Sequence, residues 1–176
     1  YPVIGKIPEE LEVWDSENVF EGVNGICVSL YENKEPYKQT LHLIPRILTV
    51  GVGCKKGTAA ELIREKIENV LAQYHISEKS ICRLASIDLK AKEEGLLQTA
   101  RELNVELITY SAEELKKVKG DYTESSFVAS VTGVSNVCER SAVLGSDYGV
   151  LLCRKTAGDG VTVALAVKEY MIDFTI

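Results

Sequence analysis

The spacing of apolar positions changes character near Pro45-Arg46. Before that point the runs are short and β-like. Gly25-Ile26-Cys27-Val28-Ser29-Leu30-Tyr31 and Tyr37-Lys38-Gln39-Thr40-Leu41-His42-Leu43 flank Glu32-Asn33-Lys34-Glu35-Pro36, which predicts an antiparallel hairpin with a longer loop. The second run alternates and puts Tyr37, Gln39, Leu41 and Leu43 on one face. Residues 1–24, with Pro2, Gly5, Pro8 and Gly22, read as irregular, and Trp14 within them as core or interface. Segment 1–45 therefore reads as the tail of an upstream unit, with a separate domain over 46–176.

From Arg46 onward, short apolar runs alternate with helical periodicity. Ile47-Leu48-Thr49-Val50 predicts a buried strand, and Gly51 to Gly57 a loop. Thr58-Ala59-Ala60-Glu61 has the form of a capping box opening a helix. Ala59, Ile63, Ile67, Val70, Leu71 and Tyr74 then fall on one stripe. Ile81 to Ser86 predicts a second strand that exits through Ile87-Asp88-Leu89-Lys90. A helix over Lys92–Leu103 and a strand over Val105–Tyr110 follow. Ser111-Ala112-Glu113-Glu114 is a second capping box, opening a helix to Val118. Short helices are predicted over Ser126–Thr132 and Asn136–Leu144, the latter stopped by Gly145. Two apolar runs, 149–154 and 161–167, bracket Ala157-Gly158-Asp159-Gly160, a strong hairpin signal. Strands alternating with helices define the α/β class. The expected architecture is three-layer α/β/α around a mostly parallel mixed sheet, with a hairpin at the C-terminal edge.

Composition narrows the function classes. Twenty Lys and Arg against twenty-six Asp and Glu give a formal charge of −6 over 176 residues. That balance disfavours general nucleic-acid binding, which needs a basic face. Apolar residues at 45% and charged ones at 26% are globular values and argue against disorder. No apolar run approaches the length of a membrane span. The chain opens on Tyr1 and not Met, with no signal peptide, as expected of a domain cut from a longer chain. Cys27, Cys54, Cys82, Cys138 and Cys153 are odd in number and widely spaced, a pattern of reduced thiols in a cytoplasm. Neither His42 nor His75 pairs with a nearby Cys, so a structural zinc site is not expected.

The chemistry concentrates in Gly51–Thr58, between a strand and a helix N-terminus. Glycines let backbone amides approach a ligand, the helix dipole adds positive potential, and Lys55 and Lys56 add full charges. The segment reads either as an anion-binding loop or as a tight turn with two solvated lysines. It matches neither the dinucleotide fingerprint nor a Walker loop. Cys54 stands beside two lysines and a helix N-terminus, which lower a thiol pKa; it reads as a nucleophile or as a small buried turn residue. Cys138-Glu139 begins another helix, where Glu139 is a base or a first-turn dipole partner. Ser86, Asp88 and Lys90 follow the C-terminal end of a strand, the edge where open α/β sheets bind ligands. They serve polar recognition and proton transfer, or form a surface loop with an incidental ion pair. Ser111 reads as a cap, and Lys116-Lys117-Val118-Lys119 as a solvated face.

Val50-Gly51-Val52-Gly53-Cys54-Lys55-Lys56-Gly57-Thr58 resembles the glycine-cysteine-basic loop of the CbiG family of cobalamin-biosynthesis proteins and its shorter CobE relatives. Leu84 to Lys90 with Glu93 and Gly95-Leu96-Leu97 resembles the family's second block, Tyr110 to Leu115 its third, Gly133 to Glu139 its fourth, and 149–167 its final strands. The likeness covers about 46–170, and Leu41 to Arg46 resembles the junction from the family's central region. Arg140-Ser141 departs from the small residues expected there.

The resemblance implies the anaerobic branch of corrin synthesis and hydrolysis of cobalt-precorrin-5A: opening a δ-lactone and releasing acetaldehyde. It implies that Gly51, Gly53, Cys54, Lys55, Lys56, Gly57, Thr58, Ser86, Lys90, Ser111 and Gly133 bind a cobalt-corrinoid intermediate through its carboxylates. Asp88 and Glu139 are the candidate catalytic carboxylates. No cofactor and no protein metal site are expected, because cobalt arrives within the substrate. Implied partners are the upstream domain of the same full-length protein and neighbouring cobalamin-pathway enzymes, with no nucleic acid and no membrane. If the active site spans domains, this segment binds without turnover. A non-catalytic corrinoid-binding module and a generic anion- or phosphate-binding α/β domain are the alternatives.

Overall fold

The computed structural model describes residues 1, 3–9, 11, 24–124 and 130–175, so Trp14 lies outside the described residues. Strand β4 (Leu48–Cys54) is central to a five-stranded sheet in the order β6-β5-β4-β8-β7. β5 (Ile81–Ile87) and β6 (Glu106–Tyr110) run parallel to it. β8 (Val161–Val167) pairs with β4 antiparallel, and β7 (Val150–Gly158) pairs with β8 as a hairpin at the sheet's edge. Asp159 and Gly160 at its tip have φ of 51° and 78°, the left-handed pair that a tight hairpin needs.

Side chains alternate across β4 and divide the core. Leu48, Val50 and Val52 face one layer, packed with Ile63, Ile67, Val70 and Leu71 of α1 (Ala60–Gln73) and Leu96 and Ala100 of α2 (Glu94–Glu102). Each such buried Val, Leu or Ile contributes about 2 kcal/mol relative to exposure. The opposite face carries Thr49, Gly51, Ala85, Ala164 and Ala166, and α4 (Cys138–Gly145) lies on it. A Cβ at Gly51 would stand 1.9 Å from the Cys138 carbonyl oxygen and 2.8 Å from the Ala142 nitrogen. The small α3 (Ala112–Lys117) packs beside α4. The three-layer expectation holds.

Several local expectations are corrected. Segments 25–31 and 37–43 do not form an antiparallel hairpin: β2 (Asn24–Val28) and β3 (Gln39–Leu43) pair in parallel, Asn24 opposite Gln39 and Val28 opposite Leu43. The reason is Leu30, which is buried in the main core. Its carbonyl accepts from Ser77 N–H at 2.8 Å, and Glu32 N–H donates to His75 O at 2.9 Å. The chain docks past the end of α1 and must return before the second strand starts. The Leu41 and Leu43 face of β3 is the exposed one. Within 1–24, β1 (Val3–Ile4) pairs in parallel with β9 (Ile172–Asp173).

Strand β4 runs on through Gly51 to Cys54, because β8 pairs with every residue of it, so the loop shrinks to 55–59. The helix over Lys92–Leu103 is confined to Glu94–Glu102, and that over Asn136–Leu144 starts later, at Cys138, and takes in Gly145, with Ser146 as its C-cap. Of Ser126–Thr132, residues 130–132 are helical and 126–129 lie outside the described residues.

Substituting Gly51→Ala forces α4 off the sheet, and unfolding free energy should fall by about 3 kcal/mol in a denaturant titration. An unchanged midpoint would show that α4 shifts freely.

Candidate functional site

The C-terminal ends of β4 and β5 carry the two loops that gather polar chemistry. Lys55 N–H donates to Gly160 O at 3.1 Å, tying the start of the 55–59 loop to the β7–β8 hairpin. Gly57 takes a φ of +74°, which suits glycine. The capping box expected at Thr58–Glu61 does not form. α1 starts at Ala60 with Ala59 as N-cap and no side-chain cap bond. Thr58 Oγ1 instead donates to Lys55 O at 2.8 Å and closes the turn. This is why Ala59 is exposed and Ala60 takes its place on the buried stripe; Tyr74, at the other end, is exposed as well.

Glu93 unites the two loops. Its carboxylate accepts from the Gly57 N–H and from Lys90 Nζ, the latter at 3.1 Å. The Gly57 hydrogen bond, followed by Lys90 and the nearby Lys56, holds this carboxyl below its ordinary pKa against the opposing effect of burial. The second family block includes Glu93, to which the sequence alone assigns no role. The signal was the i,i+3 spacing of Lys90 and Glu93 just ahead of a helix.

The remaining candidates separate by position. Lys55, Lys56, Gly57, Thr58 and Lys90 come together at this end, with Asp88 exposed in the 3-10 turn that follows β5. Ser111 follows β6 at the same end, where its hydroxyl and the Glu114 carboxylate form a capping box. Ser86 is buried and its Oγ donates to Val52 O at 2.7 Å, inside the sheet. Gly51 lies under α4, and a Cβ at Gly53 would meet Thr162 Oγ1 at 2.6 Å. Gly133, with φ +75°, stands beside Lys116 of α3. Burial raises the Cys54 thiol, with Lys90 opposing, and pushes Cys138 up to about 11. Neither environment favours a thiolate nucleophile.

Glu139 is fully buried at the start of α4 and away from solvent. Its carboxylate accepts from Thr123 N–H at 2.9 Å, Thr123 Oγ1 at 2.8 Å and Lys155 N–H at 2.6 Å. Asn136 completes the network: its Oδ1 accepts from Glu139 N–H at 2.9 Å and its Nδ2 donates to Thr123 O at 2.8 Å. Glu139 thus pins the segment after α3 and strand β7 to the N-terminus of α4. The departures at Arg140 and Ser141 are also used in packing. Arg140 Nη1 donates to Leu115 O and Val118 O at the end of α3, and its guanidinium lies 4.7 Å from the Tyr122 ring centroid. Ser141 Oγ donates to Ala85 O at 3.2 Å.

Among the described residues, no group of three or more His, Cys, Asp or Glu could hold a metal ion, and no helix is long and apolar enough to cross a membrane. Fold and site together define an open three-layer α/β domain whose strand end gathers lysines around a carboxylate. The chain belongs to the family described as Cobalamin synthesis G C-terminus, matched over residues 48–166. It is 36% identical over 126 residues to the cobalt-precorrin-5A hydrolase of Priestia megaterium, covering 72% of this chain and 33% of that protein. It is 32% identical over 146 residues to the cobalt-precorrin-5A hydrolase of Salmonella typhimurium, covering 82% and 41%. The chain thus spans well under half the length of these relatives. The crystal structure of CobE, a protein from the cobalamin biosynthetic pathway, matches at a TM-score of 0.65 and 32% identity, covering 72% of this chain and 93% of that one.

Two measurements check this site. Glu139→Gln turns one carboxylate acceptor into a donor facing donors, and should cost about 3 kcal/mol of unfolding free energy. A loss under about 1 kcal/mol, a typical single hydrogen bond, would show the network to be dispensable. Glu93, with its lowered value, stabilises the fold above the ordinary carboxylate range and loses that contribution as the pH falls through it. Stability profiles of the wild type and Glu93→Gln should therefore differ at neutral pH and converge in acid. Parallel profiles would contradict the lowered value.

Proposed function

We propose that this chain is the corrinoid-holding portion of a cobalt-precorrin-5A hydrolase, and that the C-terminal ends of β4 and β5 receive the carboxylates of the macrocycle. The observation that carries this reading is a carboxylate already resting there, on the Gly57 amide and Lys90, beside Lys56. Oriented amides at a helix N-terminus and clustered cations suit a ligand rich in acetate and propionate groups. Cobalt enters within the substrate, no protein-bound cofactor is required, and the five free cysteines fit a reducing cytoplasm. In this reading the portion of the hydrolases that this chain does not span completes the active site.

In the reaction, water adds to the lactone carbonyl and the carbon–oxygen bond breaks, leaving a carboxylate and an alcohol. Removal of the alcohol proton then lets the carbon–carbon bond break. Acetaldehyde departs and the electron pair stays on the macrocycle. Asp88 is the base in this scheme, because it is an exposed carboxylate at this strand end, whereas Glu114 is taken up by the Ser111 cap and Glu139 is sealed by three donors. A second reading, a carrier of corrin intermediates without catalysis, is favoured by CobE, since 93% of that structure corresponds to this domain.

Titration with a cobalt corrinoid lactone, following the corrin absorbance and assaying acetaldehyde in the same tube, tests both. Binding with release, abolished by Asp88→Asn, is the expected result for a catalytic segment. Binding without release, restored on adding the rest of a full-length relative, makes the segment a holder. Absence of binding by this chain and by a full-length relative under the same conditions would overturn both readings.

A further inference from the structure

Lys90 is largely shielded from water. Its side chain is 16% exposed and that of its partner Glu93 is 10% exposed. A cation so placed is costly to leave without a counter-charge, and the loop carries its own. One oxygen of Glu93 accepts from the Gly57 N–H, the other from Lys90 Nζ, and Lys56 adds attraction. Backbone packing brings Glu93 to the loop while leaving its side chain to the two hydrogen bonds. α2 begins one residue after Glu93, and Gly95 in its first turn rests on the Thr58 carbonyl so closely that a Cβ there would be 2.1 Å from the oxygen. Glu93 and Gly57 are 36 residues apart in sequence, yet belong to one packed unit.

We infer that Glu93 is a resident carboxylate which an incoming carboxylate replaces, so that occupation of this site is an exchange of anions, and that the exchange sets its preference for polycarboxylates. This rests on the reading of the loop as the place where substrate carboxylates are held. An exchange leaves the number of charge-assisted hydrogen bonds unchanged, and Lys90 is never without a counter-charge. A small monocarboxylate therefore gains little by displacing Glu93. A rigid ring bearing several carboxylates gains more, because its first contacts with Lys55 and Lys56 present the next carboxylate at high effective concentration. Glu93 thus raises the threshold for acetate and phosphate while leaving the site open to a corrin acid.

The test compares the wild type with Glu93→Gln, which keeps an oxygen acceptor for Gly57 and removes the charge, and with Glu93→Ala; melting curves establish that each is folded. The probes are cobyrinic acid, its fully esterified counterpart, acetate and inorganic phosphate. Binding is read by corrin absorbance and by the Gly57 amide signal in nitrogen-edited NMR. The expected result is that Glu93→Gln binds cobyrinic acid about tenfold more tightly than the wild type. The same variant should acquire measurable acetate and phosphate binding, and the ester should bind neither protein at the Gly57 signal. In the wild type, cobyrinic acid should move the Glu93 carboxyl resonance toward that of a free glutamate. If cobyrinic acid moves the Gly57 signal but Glu93→Gln binds it no tighter or more weakly, the exchange is overturned and the loop reading stands. If the corrin acid leaves Gly57 unmoved in both proteins, the loop reading falls and the exchange with it.

Discussion

Helix α4 lies on the sheet through a strip of missing side chains, and the registration of the outer layer depends on that approach. Gly51 offers no Cβ to the Cys138 carbonyl, and Ala85, Ala164 and Ala166 keep the surrounding surface low. The helix is held at both ends. Thr49 Oγ1 and Arg83 Nη1 donate to Gly145 O at 3.0 and 3.1 Å, satisfying a carbonyl at its C-terminus. At the other end Asn136 accepts from Glu139 N–H. From α4, Glu139 reaches to β7 and Arg140 to α3, so the outer layer is registered on the sheet through one helix.

Two glutamates do opposite work with the same chemistry. Glu139 spends its carboxylate on three protein donors in the interior and gives the fold its registration. Glu93 places its own on an amide and an ammonium at the rim, the groups proposed above to receive a carboxylate. In a chain with a net charge of −6, Glu93 is the carboxylate that stands directly on Lys90 and near Lys56 at this strand end.

The layers were legible in the sequence because the periodicities are strong: the apolar stripe of α1, the continuous apolar run of β8 and the Asp159-Gly160 turn each specify one structure. The misreadings share a cause, which is tertiary contact overriding local pattern. Nothing local to Ser29–Tyr31 says that Leu30 will dock against the end of α1, so the two flanking runs look like a hairpin and become a parallel pair. The glycines of 51–53 look like a loop and become strand because a later strand pairs along their whole length. At the site, charge and loop position were readable. Engagement was not: Lys90 looks available until Glu93 is seen on it, and Glu139 looks like a base until Thr123 and Lys155 close over it.

The strand order has a consequence for how the chain is made. β4, β5 and β6 emerge from synthesis in sequence and pair side by side, but the second edge of β4 is reserved for β8, more than a hundred residues later. Until residues 161–167 exist, the central strand of the finished sheet is an edge strand, apolar and with unpaired backbone groups. Such an edge invites pairing with other nascent chains. The antiparallel insertion of β8 is thus both the closing step of the sheet and the event that ends its period of greatest vulnerability to aggregation.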